Sequence, residues 1–197
     1  MTNLEFLLSR FSCGSLKDPA PNNEELHQIL SASMRAPDHG RLRPWRFVLV
    51  PKEYRQQWLD RVEHAMRQPE YDYPESYIQK VKHNFSCAPM VIALAMRQIT
   101  EKTSVSIDEQ LMAASAAVMN VLNAVHALKF GVKWVTGPIA NQGVVESLGL
   151  QAPYRMMGFL FVGTPCGENE APPRAMVDDY VAVWQGRPVQ FKIDSEN

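Results

Sequence analysis

Ile107-Asp-Glu-Gln-Leu-Met-Ala-Ala-Ser-Ala-Ala-Val-Met-Asn-Val-Leu-Asn-Ala-Val-His-Ala-Leu-Lys129 is the longest helical pattern in the sequence. At the usual rise per residue it makes a helix of roughly 35 Å. Leu111, Met112, Val118, Met119, Val121, Leu122, Val125 and Leu128 spread over more than one of its faces, so it must be covered on most sides. Ala113, Ala114, Ala116 and Ala117 allow another backbone to come close. In a small domain this predicts a central helix, a subunit interface, or both. Gln110 to Leu128 contains no Asp, Glu, Lys or Arg, but Gln110, Asn120, Asn123 and His126 lie within it. A buried helix of a soluble protein is expected rather than a membrane span.

Strand patterns flank this helix. Trp45–Val50 is aromatic and β-branched, Pro89–Met96 and Tyr154–Gly163 are nearly unbroken apolar runs, and Val132–Thr136 is a short strand. Helices are expected over residues 2–10, 23–36, 52–68, 75–85 and 141–148, with a loop at Phe11–Pro21. Asn22 and Glu25 form a capping box at the start of the second, and Pro37 ends it. The whole reads as α+β, with three or four strands and helices around them.

The 197 residues suit one domain over 1–197, with a tail from about 166 to 197 whose Tyr180, Trp184 and Phe191 predict packing on the domain or on a partner. Twenty Lys and Arg against 21 Asp and Glu give a formal charge of −1, so no global footprint favours nucleic acid or an anionic membrane. Cys13, Cys87 and Cys166 are too scattered for a zinc site or a C-x-x-C pair. Reduced thiols in the cytoplasm are expected, and no signal core follows Glu5 and Arg10.

The densest functional signal is Arg35-Ala-Pro-Asp-His-Gly-Arg-Leu-Arg-Pro-Trp-Arg46. Guanidinium groups on a loop suit a phosphate, and Arg10 and Ser12 begin another loop that can converge on the same anion. The alternative is a solvated basic loop paired with carboxylates such as Asp38. His126 reads as a hydrogen-bonded core histidine, and Met112, Met119, Met156 and Met157 read as core filler. No nucleophile elbow, Walker loop, zinc motif or Rossmann fingerprint is present. An anion cradle without an acid/base pair suggests that a bound cofactor carries the chemistry.

Four ordered motifs resemble the nitroreductase superfamily. They are Arg10-Phe-Ser12, Ala36-Pro37 through Pro44-Trp45-Arg46-Phe47, Phe130-Gly131…Trp134-Val-Thr-Gly137, and Gly158-Phe-Leu-Phe-Val-Gly-Thr-Pro165. Met34-Arg35-Ala36-Pro37-Asp38-His39 is similar to the short, minimal branch of that superfamily. The resemblance spans about residues 3–184. It implies a mostly antiparallel sheet surrounded by helices, a homodimer joined through the long helix, and a tail packed on the partner. It also implies FMN as cofactor, NADH or NADPH as donor, and ping-pong reduction of nitroaromatics, quinones or similar planar acceptors.

By the same resemblance, Arg10 and Ser12 hold the FMN phosphate and ribityl chain, and Arg35 and His39 reach FMN from the other subunit and assist it. Trp134, Val135 and Thr136 line the flavin, and Ala124–Lys129 meets the nicotinamide nucleotide. No metal is implied. The sequence departs from its relatives at Phe11, Ser15 and Val135, where cations are common, and at Asp38, Arg41 and Arg43. Arg41, Arg43 and Lys133 are the candidates to compensate. Rival readings are an FMN enzyme with a narrow task (dehalogenation or flavin fragmentation) and a non-catalytic FMN-binding module.

Overall fold

The structure, a computed structural model, describes residues 2–101, 103–167 and 171–195. Its sheet is organised around β5 (Tyr154–Pro165), which pairs antiparallel with β1 (Leu16–Lys17), β3 (Met90–Arg97) and β4 (Gly131–Val135). β2 (Trp45–Val50) pairs antiparallel with β3. The α+β expectation holds, with five strands among the described residues rather than three or four. The additional strand, β1, is a two-residue bridge inside the segment predicted as the loop Phe11–Pro21.

The apolar runs are continuous because β3 and β5 are buried on both faces. Side chains alternate across a strand. Val91, Ala93, Phe159 and Phe161 therefore face one core, and Ile92, Leu94, Leu160 and Val162 face the other. The first core is closed by α3 (Lys52–Met66), α4 (Glu75–Cys87) and α6 (Gln142–Ser147) through Trp58, Leu59, Phe85 and Val144. The second is closed by α2 (Asn23–Ser33) and α5 (Ile107–Ala127) through Ile29, Val118, Val121 and Val125.

Three helices open on capping boxes that satisfy their first amides: Thr2/Glu5 for α1 (Asn3–Ser9), Asn22/Glu25 for α2 and Ser106/Glu109 for α5. The second helix stops at Ser33 rather than 36. Arg35 and Ala36 donate to the carbonyls of Ala32 and Ser33 in a turn instead of continuing the helical ladder. The long helix ends at Ala127, two residues short of the predicted Lys129, which adopts φ +63°.

Met156 is buried as expected of core filler, but Met112 and Met119 are 69% and 41% exposed. Seven residues apart, they share a stripe of α5 turned away from the sheet. Leu4, Leu7 and Leu8 of α1 are also exposed, as are Val183 and Trp184 of the tail. Residues 168–170, 196 and 197 of that predicted tail lie outside the described residues. Arg174 donates to the carbonyl of Arg10 at 3.2 Å and ties the tail to the N-terminal segment. No described helix is long and apolar enough to cross a membrane.

Two polar contacts fix the elements that carry the site. The Arg55 guanidinium is buried and donates to the carbonyls of Val50 (3.1 Å), Phe85 (3.4 Å) and Ala88, locking the end of α4 to the end of β2. Burial is the main cause that lowers its pKa from the usual value. At the other face, α1 docks on the end of α5. Phe6 stacks on His126 with ring centroids 4.9 Å apart, and Ser9 Oγ lies 2.8 Å from His126 Nε2. Burial first, and then the charge of Arg10, hold the His126 pKa below its ordinary value.

Arg55→Ala strands three buried carbonyls, and chemical denaturation is expected to show a loss of about 3 kcal/mol or more. A loss below about 1 kcal/mol would mean that solvent replaces the guanidinium there. His126 favours its neutral form in the fold. Its contribution to stability is therefore present above the unfolded pKa of 6.5 and lost as pH falls through the lower folded value. NMR titration should place His126 below 6.5, and Arg10→Gln should raise it. An unchanged value in that variant would separate Arg10 from the imidazole.

Candidate functional site

The loop that begins at Arg10 runs beside the start of β4. Cys13 is buried and its amide donates to the Val132 carbonyl at 2.9 Å, while the Cys166 amide donates to Ser15 at 3.1 Å. Arg10 is half-buried and Ser12 exposed. Neither has a side-chain ion pair or hydrogen bond to another described residue. Next to this loop, Gly14, Ser15, Asn84, Cys87 and Lys133 line a cavity of about 220 Å³. An adjoining cavity of about 310 Å³ shares Asn84, Lys133 and Phe161 with it and adds Tyr77, Lys80, Val135 and Thr136.

The two cavities form one trough between the sheet and α4. Its apolar walls include Phe85, Ile139 and Phe161, and its donors are Ser15, Lys80, Asn84 and Lys133. None of these four side chains has an acceptor among the described residues. A flat ring with a phosphate tail needs apolar walls along part of its length and unspent cations at one end. The trough meets that requirement, and so the residues present fit FMN.

Strand alternation decides what Trp134–Thr136 offer. Val135 and Thr136 border the trough. The Trp134 indole turns to the opposite core and donates to the Met157 carbonyl at 3.1 Å. Gly158 sets how close β4 comes at this point. It has φ +116°, and a Cβ placed on it would lie 2.3 Å from the Val135 carbonyl oxygen. Only a residue without a side chain lets the two main chains meet there.

Arg35 and His39 lie elsewhere. They are exposed on the segment between α2 and β2, where Gly40, Arg41 and Arg43 all take positive φ. His39 Nδ1 is 2.8 Å from Glu109 Oε1, in the first turn of α5. Asp38 accepts the Arg43 backbone amide at 2.6 Å, and Arg46 donates to the carbonyls of Arg43 and Trp45. The alternative of guanidiniums paired to Asp38 is therefore not met: Arg35, Arg41 and Arg43 form no ion pair with any described residue. Met34, Ala36, Asp38, Arg41, Arg43 and Trp45 line a concavity of about 490 Å³.

His126 and Glu109 mark the two ends of α5. Seventeen residues of helix separate them, about 25 Å at 1.5 Å per residue. Within one chain the structure brings Arg10 and Ser12 to the C-terminal end of α5, and Arg35 and His39 to its N-terminal end. It does not bring the two groups together. Arg41 and Arg43 are likewise remote from Ser12, whereas Lys133 borders the trough next to Ser15.

Within Ala124–Lys129, Val125 is buried, and Ala124 and Leu128 pack on the same core. His126 is held by Ser9 and Phe6, which leaves Ala127 and Lys129 exposed. Sequence reasoning missed Lys80, Asn84 and Glu109. Tyr77, Lys80 and Asn84 recur at helical spacing beside the apolar stripe of Ile78, Val81 and Phe85, a signal that was present. The capping box was also readable, but its link to His39 was not.

A family model described as Nitroreductase family matches residues 7–164. The Escherichia coli (strain K12) protein named "Putative NAD(P)H nitroreductase YdjA" is 35% identical over 166 residues, covering 84% of this chain and 89% of that one. Among solved structures, a nitroreductase-like family protein from Bacillus cereus superposes with a TM-score of 0.82 at 21% identity, covering 94% of this chain and 97% of the other. A variant of the FMN and NADPH-dependent nitroreductase NfnB derived from sphigopyxis sp. strain HMH gives a TM-score of 0.74 at 22% identity, covering 95% and 100%. The motifs, the all-antiparallel sheet and these matches agree, and the chain belongs to the nitroreductase family.

Proposed function

We propose that the protein is an FMN-dependent NAD(P)H oxidoreductase of the cytoplasm that works as a homodimer on nitroaromatic, quinone or similar planar acceptors. The observation that carries this reading is the division of the expected cofactor residues between the two ends of α5. A two-fold axis crossing α5 near its middle sets the start of one helix beside the end of the other. Arg35 and His39 of one chain then meet Arg10 and Ser12 of the other.

The exposed stripe of α5 supports such an axis. Met112 and Met119 lie on it. The exposed leucines of α1 and the apolar tail give the second copy further surface to cover.

Bound FMN supplies hydride transfer from NAD(P)H and, in a second half-reaction, reduction of the acceptor. The chain supplies binding and electrostatics. Arg10, Ser12, Ser15 and Lys133 hold the phosphate and ribityl chain. Val135, Thr136 and the backbone of Trp134 border the ring, with Lys80 and Asn84 opposite. Arg35 and His39 counter negative charge on the reduced ring. The segment Ala124–Lys129 lies near the nicotinamide nucleotide, presenting Ala127 and Lys129. Cys13, Cys87 and Cys166, scattered in the sequence with neither zinc spacing nor a C-x-x-C pair, suit a reducing compartment.

Protein supplied with FMN should turn yellow and bleach anaerobically with NADH or NADPH. A protein that takes up no flavin rules this reading out, and one that binds flavin without accepting electrons is a binding module. Arg10→Ala and Arg35→Ala should each weaken FMN binding about tenfold. Mixing the two variants should restore one intact site per mixed dimer, about a quarter of all sites after random exchange. No recovery on mixing would place both arginines in one chain's own site.

A further inference from the structure

The Glu109 carboxylate does two jobs. Oε2 accepts from the backbone amide and the hydroxyl of Ser106, each at 2.9 Å, and closes the box that starts α5. Oε1 is thereby turned away from the helix and accepts from His39 Nδ1 at 2.8 Å. These bonds, His39 first, hold the Glu109 pKa down at about 2, so it is an anion at any working pH. An ionised carboxylate only accepts, and Nδ1 must therefore carry the proton. His39 Nε2 has no partner among the described residues, and the side chain is 67% exposed.

We propose that Glu109 is a positioning residue of the cofactor site, holding His39 as the Nδ1–H tautomer with Nε2 offered to a bound flavin nucleotide. This rests on the FMN reading above and adds a residue to it. A carboxylate behind an imidazole fixes the ring's rotation and tautomer and favours its cationic form when Nε2 meets an anion. Because Glu109 is also the third residue of α5, the orientation of His39 is set by the helix and not by its own strained loop. The His39 ring is thus held from behind before any ligand arrives, a preorganisation that a solvated histidine lacks.

Two measurements separate this from a merely structural role. In flavin-free protein with ¹⁵N-labelled histidine rings, above the histidine titration range, His39 should show the Nδ1–H pattern. Glu109→Ala should convert it mainly to Nε2–H, the form favoured by free imidazole. Glu109→Gln has one amide oxygen for the two jobs: with that oxygen closing the capping box, its NH2 faces His39 Nδ1 and donates, so this variant should also shift the ring to Nε2–H.

The second measurement is the Kd for FMN by fluorescence quenching. Glu109→Ala should weaken binding about tenfold, and His39→Ala at least as much. The double variant should be no weaker than His39→Ala alone. Ser106→Ala breaks part of the cap but keeps the Ser106 backbone bond to Glu109, and should change the Kd less than about twofold.

An unchanged tautomer in Glu109→Ala, additive losses in the double variant, or an equal loss in Ser106→Ala would each overturn the proposal. Should wild-type protein bind no FMN while the tautomer responds as stated, the flavin reading fails and the control of His39 by Glu109 stands.

Discussion

Helix α5 is a strut that cannot fold back on itself, and its length separates the two loops that bear the proposed cofactor residues. Both ends are pinned. Ser106 and Glu109 start it and hold His39, while Phe6 and Ser9 clasp His126 near its end. Between them, Ala113, Ala114, Ala117, Val121 and Val125 bury its inner face, so the strut cannot slide without breaking the core. The separation of Arg10 from Arg35 is therefore a property of the backbone and not of a chance loop arrangement.

The other determinant is β5. Phe159 and Phe161 join α3, α4 and α6 to it, and Leu160 and Val162 join α5. Phe85 meets both phenylalanines edge-on at centroid distances of 4.9 and 4.7 Å, which seats α4 over the sheet. The trough exists where that packing stops, at the end of β4. Arg55 reinforces the same corner by satisfying carbonyls that the end of α4 would otherwise bury unpaired.

Patterns with many reporting residues were legible in the sequence. β2 matched its predicted limits, because five of its six residues are aromatic or aliphatic and mark a strand. The core strands and the capping box at Asn22 were equally plain. β1 was not: two residues carry no period, and the strand exists only because Thr164 and Pro165 pass beside them. Met112 and Met119 were misplaced because periodicity marks an apolar face without saying which neighbour covers it. The arginine loop was visible as a cluster of charge. That His39 leans on Glu109, seventy residues away, is a tertiary fact that no local pattern encodes.

The contact at Gly158 gives the trough one stiff wall and one compliant one. On the strand side, main chain meets main chain at Val135, and no rotamer change can widen or narrow the gap. On the helix side, Tyr77 and Lys80 are long side chains with torsional freedom. Divergence in what such a cleft accepts is thus channelled to the helix. Substitutions there can reshape the opening at small cost, while the strand stays fixed as its reference edge.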